Sequence, residues 1–143
     1  RRLIDGGVLT TWLLDLGSGR RLGMASTGHA SRDGAALGAP SASNLTLAPG
    51  EMSKEELIAD IAQGFYVTDI MGMGANLVTG DYSRGASGFW IENGEITYPV
   101  GEVTIAGNLV EMFRQLTPAS DLEIRGSIDA PTVRIDGMTM AGT

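Results

Sequence analysis

MGMGANLVTGDYSRGASGFWIENGEITYPVGEVTIAGNLV, residues 71–110, is the stretch whose reading decides the fold. Asn93-Gly94 stands between two runs rich in aromatic and β-branched residues. That pairing predicts a type I′ turn, whose two positive φ angles suit Asn and Gly, closing a β-hairpin over Gly88–Val100. A two-residue loop sets Ile91 opposite Ile96 and Phe89 opposite Tyr98 on one face, with Trp90 and Thr97 on the other. Glu92 and Glu95 then flank the turn as like charges, which implies exposure there. Val103–Ala106 continues as a strand. A helix follows, with Asn108 as N-cap and Glu111 at the capping-box position. Leu109, Met112, Phe113 and Leu116 give that helix an apolar face, and Pro118 closes it.

Upstream, Ser53 is an N-cap with Glu56 three residues later, a capping box, and Met52 can staple onto Leu57. Leu57, Ile58, Ile61, Ala62 and Phe65 recur at helical spacing, with Gly64 offering a left-handed C-terminal cap. Phe65–Met71 reads as a strand that Gly72 and Gly74 end or kink. Asp69, the one charge in it, is read as an edge or bulge position. Near the start, Val8–Leu16 (VLTTWLLDL) reads as a buried strand broken by Gly17-Ser18-Gly19. Residues 23–49 are rich in Gly, Ala and Ser and punctuated by Pro40 and Pro49, so a long loop or flexible connection is expected there. Two short strands close the chain, Leu122–Arg125 and Thr132–Asp136. The expected fold is α+β: a mostly antiparallel β-sheet with two or three short helices.

Composition agrees. The 143 residues are 43% apolar with a mean hydropathy of +0.07, enough to bury a core. Glycine takes 21 positions, roughly twice its usual share of about 7%, as many tight turns require. The sequence opens on Arg1-Arg2 without an initiator Met, and is read as a fragment or processed piece. Net charge is −7, unevenly placed: residues 1–50 hold five Arg and three Asp, while residues 51–143 hold five basic and fourteen acidic residues. An acidic domain repels a phosphate backbone, which argues against direct nucleic-acid binding. No apolar run approaches the ~18 residues of a membrane span, and no signal-peptide core is present, so no membrane role is expected. The formal glycosylation sequon Asn44-Leu45-Thr46 carries no weight without a secretory signal.

The chemistry-bearing residues are few. Absence of Cys excludes disulfides, thiol catalysis and thiolate metal sites. His29 is the single imidazole; it sits among small polar residues and cannot hold catalytic zinc by itself, since such sites need three protein ligands. There is no G-x-S-x-G elbow. Gly80–Ser87 (GDYSRGAS) has the spacing of a phosphate-binding loop, but Ala86 stands where the ammonium of Lys is needed. Gly72-Met73-Gly74 is no better as a dinucleotide fingerprint, since Leu77 replaces the third glycine. No two carboxylates share a motif suggesting acid–base pairing. Met71, Met73, Met138 and Met140 are read as core gap-fillers rather than a soft-metal site.

Beside this reading, the chain resembles the TldD/PmbA family, once described as modulators of DNA gyrase. The resemblance runs from Gly7-Val8-Leu9 through Ser26-Thr27-Gly28-His29-Ala30 and Ser43–Leu47 to Ile135–Gly142. It is densest over Thr79–Gly94, and is nearer the PmbA (TldE) branch than TldD. It implies the C-terminal domain of a larger, cytoplasmic peptidase-family protein. In that family the TldD-type subunit carries zinc through a His-Glu-x-x-x-His helix in its N-terminal half and a Cys in its C-terminal half. The PmbA-type subunit lacks these ligands and pairs with TldD to act on small or unfolded peptides. The resemblance therefore places no catalytic residue, metal site or cofactor in this chain, and zinc only in a TldD-type partner.

Two functions stay open. One is a non-catalytic part of such an assembly, contributing a peptide groove and a subunit interface to a homo- or hetero-oligomer. The other is a binding or scaffold domain with no peptidase partner. For the first, Gly80–Gly88 is read as a glycine-rich turn that lets a peptide approach. Gly80, Ser83, Gly85 and Ser87, together with Thr27 and His29, are the candidate peptide contacts, by strand addition to an extended chain. The plain alternative is that these glycines only turn the chain. Tyr82 and Trp90 read as exposed aromatics suited to an interface.

Overall fold

The computed structural model describes residues 1–33 and 36–142, which fall into two units. The first comprises Arg1–Thr46 with Gly126–Ile128, the second Leu47–Arg125 with Asp129–Thr143.

In the first unit, β1 (Ile4–Asp5) and β2 (Val8–Leu9) form a small hairpin, followed by helix α1 (Leu16–Leu22). The long buried strand expected over Val8–Leu16 is therefore absent. Val8, Leu9 and Trp12 are exposed and Leu14 alone is buried. Local capping wins over β-propensity: the Asp15 side chain accepts from the Ser18 amide, and Gly23 supplies a left-handed cap at φ 65° after Arg20 and Arg21. The two glycines read as a break lie inside this helix. Gly19 is buried, and a Cβ on it would stand 2.8 Å from the Met24 carbonyl. The expected loop over 23–49 holds three strands, β3 (Ala30–Asp33), β4 (Ala36–Pro40) and β5 (Leu45–Thr46). β3 and β4 pair antiparallel with a register shift between Ala30 and Arg32; residues 34 and 35 lie outside the described residues.

The second unit begins with α2 (Lys54–Ala59), where the capping box forms in both directions, Glu56 N–H to Ser53 Oγ and Ser53 N–H to Glu56 Oε2. Leu57 and Ile58 are buried, and burial of such side chains stabilises by about 1.5–3 kcal/mol each. The helix ends four residues before the expected cap. Gly64 instead belongs to β6 (Gln63–Met71), opposite Ile91, because the sheet ladder captures the chain there. β7 (Asp81–Glu92) and β8 (Glu95–Asn108) form the hairpin, with Asn93 at φ 49° and Gly94 at φ 81° as the turn requires. Ile91 faces Ile96 as expected, but Phe89 faces Pro99 rather than Tyr98. An extra residue on β8 shifts the register beyond Ile91. Pro99, with no N–H to donate, fits such an irregular position.

After β8 come α3 (Leu109–Arg114), β9 (Leu116–Pro118), β10 (Ile128–Asp129), β11 (Val133–Ile135) and β12 (Thr139–Ala141). The main sheet has the order β12-β8-β7-β6, β9 pairs with β11, and β5 with β10. Leu122–Arg125 is not a strand, whereas Leu116, assigned from sequence to the helix face, and Pro118, read as its stop, lie in one. Helix α3 forms with Asn108 as its cap, yet buries nothing; Phe113 is 71% exposed. The core of the sheet is Ala86, Val103 and Ile105, with Phe65, Val67, Tyr82, Val100 and Met138 packed against it. Of the four methionines read as gap-fillers, Met138 takes that role, while Met71, Met73 and Met140 are exposed. Tyr82 and Trp90 are half-buried rather than exposed. Asp69 sits on the edge strand β6, beside a register shift between Val67 and Asp69. The architecture is α+β and mostly antiparallel.

Candidate functional site

The glycine-rich stretch 80–88 is not a turn. From Asp81 onward it is β7, the central strand, with Gly85–Glu92 flanked by β6 on one side and β8 on the other. Both neighbours shift register at Ser87–Gly88, β6 by Thr68 and β8 by Gly101 and Glu102, the latter at φ 56°. Gly88 is required there: a Cβ would stand 1.9 Å from the Tyr66 carbonyl oxygen. Strand addition to β7 itself is thus blocked over Gly85–Glu92; among the described residues β6 is an edge strand, and β12 covers β8 only at Thr104–Ala106. Alternation puts Ser83, Gly85 and Ser87 on one face and Tyr82, Arg84 and Ala86 on the core side.

Below this level the chain builds a cleft of about 520 Å³, with residues 73–76 running beside residues 81–84. Its construction is local. Gly72 turns the chain at φ 79°. Gly74 then approaches so closely that a Cβ would lie 1.6 Å from the Ser83 carbonyl oxygen, while Ser83 N–H donates to the Gly74 carbonyl at 2.7 Å. Asn76 Oδ1 accepts from the amides of Val78 (2.9 Å) and Thr79 (3.2 Å), closing an Asx turn. Gly80, buried at φ 82°, donates to the Asn76 carbonyl and accepts from Leu109 N–H at 2.6 Å. Asn108 Nδ2 donates to the Thr79 carbonyl, tying the turn to the start of α3. Gly80 therefore has a structural reason to be glycine. Arg84 lines the cleft half-buried: its Nη2 donates to the Gly72 carbonyl, and its Nε is enclosed without an acceptor. Met73, in the lining, is 102% exposed, and Leu77 and Val78, which follow Asn76 in the chain, are 88% and 95% exposed.

Thr27 and His29 belong to the first unit, and Gly80, Ser83, Gly85 and Ser87 to the second. Thr27 Oγ1 accepts from Leu14 N–H at 2.7 Å and lies within reach of the Trp12 and Leu14 carbonyls and of His29 Nδ1 at 2.8 Å. That hydroxyl is engaged in holding residues 12–14 against the loop. Ser83 lines the cleft; the cleft itself and Arg84 within it have no direct motif in the sequence. The available signals were Gly72-x-Gly74, close to a strand, and the turn residues Asn76 and Gly80.

No group of three His, Cys, Asp or Glu able to hold a metal occurs among the described residues. His29, the single imidazole, is bonded to Thr27, and thiolates are absent. This donor set does not fit a catalytic zinc.

The profile of the PmbA/TldA metallopeptidase C-terminal domain matches residues 1–142. The chain belongs to that family. It is 45% identical to metalloprotease PmbA of Escherichia coli O157:H7 and 47% identical to a PmbA homolog of Haemophilus influenzae, in each case over 99% of this chain and 30% of the relative. The crystal structure of a Thermotoga maritima protein described as a modulator of a DNA gyrase superposes with a TM-score of 0.84 at 34% identity, covering 97% of this chain and 32% of the other. The chain thus spans about a third of the length of the relatives it matches. No helix among the described residues is long and apolar enough to cross a membrane.

Proposed function

We propose that this domain is a non-catalytic part of a PmbA/TldE-like subunit in a TldD-type zinc peptidase assembly, cytoplasmic, and acting on small or unfolded peptides. The observation that carries the reading is the family match over residues 1–142, together with the lack, among the described residues, of any group of three His, Cys, Asp or Glu that could hold a metal. In this reading the chemistry resides in a TldD-like partner or in other parts of the assembly, and this domain contributes a peptide groove and a subunit interface. The groove is the cleft at residues 73–76 and 81–84, which Ser83 lines; Gly85 and Ser87, farther along β7, and, separately in the first unit, the Thr27–His29 loop are further candidate peptide contacts. Gly85 is not pressed against its neighbours: the nearest atom to a Cβ there would be Met71 Cβ, at 3.6 Å. The exposed apolar side chains of Met73 in the cleft lining, and of Leu77 and Val78 just after Asn76 in the chain, give a surface for polypeptide side chains.

Gly85→Val and Ser87→Val in the assembled protein are expected to weaken binding of an unstructured peptide while leaving folding and subunit pairing intact. Unchanged peptide affinity in both variants, with correct assembly by light scattering, refutes the groove. A binding or scaffold role without a peptidase partner is the second reading. Stable purification as a strict monomer with no peptidase activity in the presence of a TldD-like protein would favour it.

A further inference from the structure

The second unit carries five cationic side chains and fourteen acidic ones. Four of the five cations have carboxylate partners: Lys54 with Glu55 at 3.7 Å, Arg114 with Glu111 at 2.6 Å, Arg125 with Glu123, and Arg134 with Asp60 and Asp136. Arg84 is the exception among the described residues. It lines the cleft, half-buried, with Nη2 fixed on the Gly72 carbonyl and Nε enclosed without an acceptor. In a domain with so many carboxylates, an unpaired guanidinium at a cleft lacks an anion that the chain itself does not supply. A partly buried cation attracts an anion more strongly than an exposed one, because less water screens the pair.

We propose that Arg84 receives the C-terminal carboxylate of a bound peptide. The proposal rests on the peptide-groove reading above and names the end of the chain that the groove recognises. Every peptide carries that carboxylate, so it is read without reference to sequence. The other lining groups suit such a ligand. Met73, Ala75 and Tyr82 present apolar surface on which varied side chains can lie, and a fully exposed thioether adapts its shape to them. Asp81, also in the lining, accepts from Thr79 Oγ1 at 2.6 Å, so its carboxylate is engaged within its own turn.

The test uses the full-length protein and fluorescence anisotropy with three N-terminally labelled Ala/Leu hexapeptides. One has a free C-terminus, one is amidated, and one is amidated with Glu as its last residue. The free acid is expected to bind wild type about tenfold more tightly than the plain amide, as one charge-assisted contact provides. Arg84→Met should bring acid and amide within twofold of each other, and Arg84→Lys should restore part of the gap. Equal binding of acid and amide to wild type overturns the proposal without recourse to any variant, as does a gap that persists in Arg84→Met. If the Glu amide binds as tightly as the free acid, the ligand is a side-chain carboxylate and the terminus is wrong. Binding of all three peptides without discrimination sinks this proposal and spares the groove. No binding of any peptide sinks both.

Discussion

Gly88→Ala is the sharpest test of the sheet, because its cost follows from one distance. The added methyl would stand 1.9 Å from the Tyr66 carbonyl oxygen, with the Thr68 amide nitrogen at 3.1 Å. Ordinary contact begins near 3.4 Å, so β6 would have to retreat by about 1.5 Å, beyond what an N–H···O bond tolerates. Backbone atoms cannot rotate aside as a side-chain tip can. Overpacking of about 1–3 kcal/mol adds to the loss of about two ladder bonds at ~1 kcal/mol each. The expected destabilisation of the β6–β7 pairing is therefore about 3–5 kcal/mol. Gly85→Ala, three residues earlier on the same strand, is the internal control. Its Cβ meets Met71 at an ordinary 3.6 Å, so replacing a flexible glycine should be neutral or stabilise by up to about 1 kcal/mol. Hydrogen exchange of full-length protein, read by mass spectrometry over residues 63–71 and 81–92, separates the two. Gly88→Ala should speed exchange there about a hundredfold or more, and Gly85→Ala should not. Equal protection in both variants would refute the steric argument and the register on which it rests.

Leu57→Ala should cost about 2–5 kcal/mol, since Leu57 is 4% exposed, whereas Phe113→Ala, at 71% exposure, should cost under about 1 kcal/mol; chemical denaturation checks the contrast. Asp121 accepts from the Thr132 hydroxyl at 2.7 Å and the Thr132 amide at 2.8 Å, which holds its carboxyl below the usual carboxylate range. A depressed folded-state pKa gives stability that is present above the unfolded value and lost as pH falls through the folded one. Asp121→Asn should therefore flatten the acid limb of the stability profile, and an unchanged limb would show that this carboxylate is not linked to folding. Elemental analysis after chelator dialysis should find no stoichiometric zinc held by this domain; retained zinc would mean a site that the donor set does not reveal.

Features fixed by neighbours a few residues apart were legible in the sequence. The Ser53–Glu56 box, the Asn93-Gly94 turn and the Asn108 cap each satisfy backbone groups within one turn, so the residues alone determine them. The Asp15 cap and Gly23 stop were equally local, but nine apolar-rich residues were read as a strand in preference to them. What needed tertiary structure was every feature settled by a distant segment. Helix α2 stops at Ala59 because the β6–β7 ladder takes up Gln63 and Gly64. Arg134, 77 residues from Leu57, donates to its carbonyl at 2.9 Å and spans to Asp60 and Asp136, and these carboxylates, Asp136 first, raise its already high pKa. The cleft likewise depends on a close approach at Gly74, and that Arg84 has no carboxylate partner among the described residues follows from where other segments place theirs. Sequence determines which groups must be satisfied within a turn of chain. Which glycine is pressed against a carbonyl, and which cation is left without an anion, depends on segments that only the fold brings together.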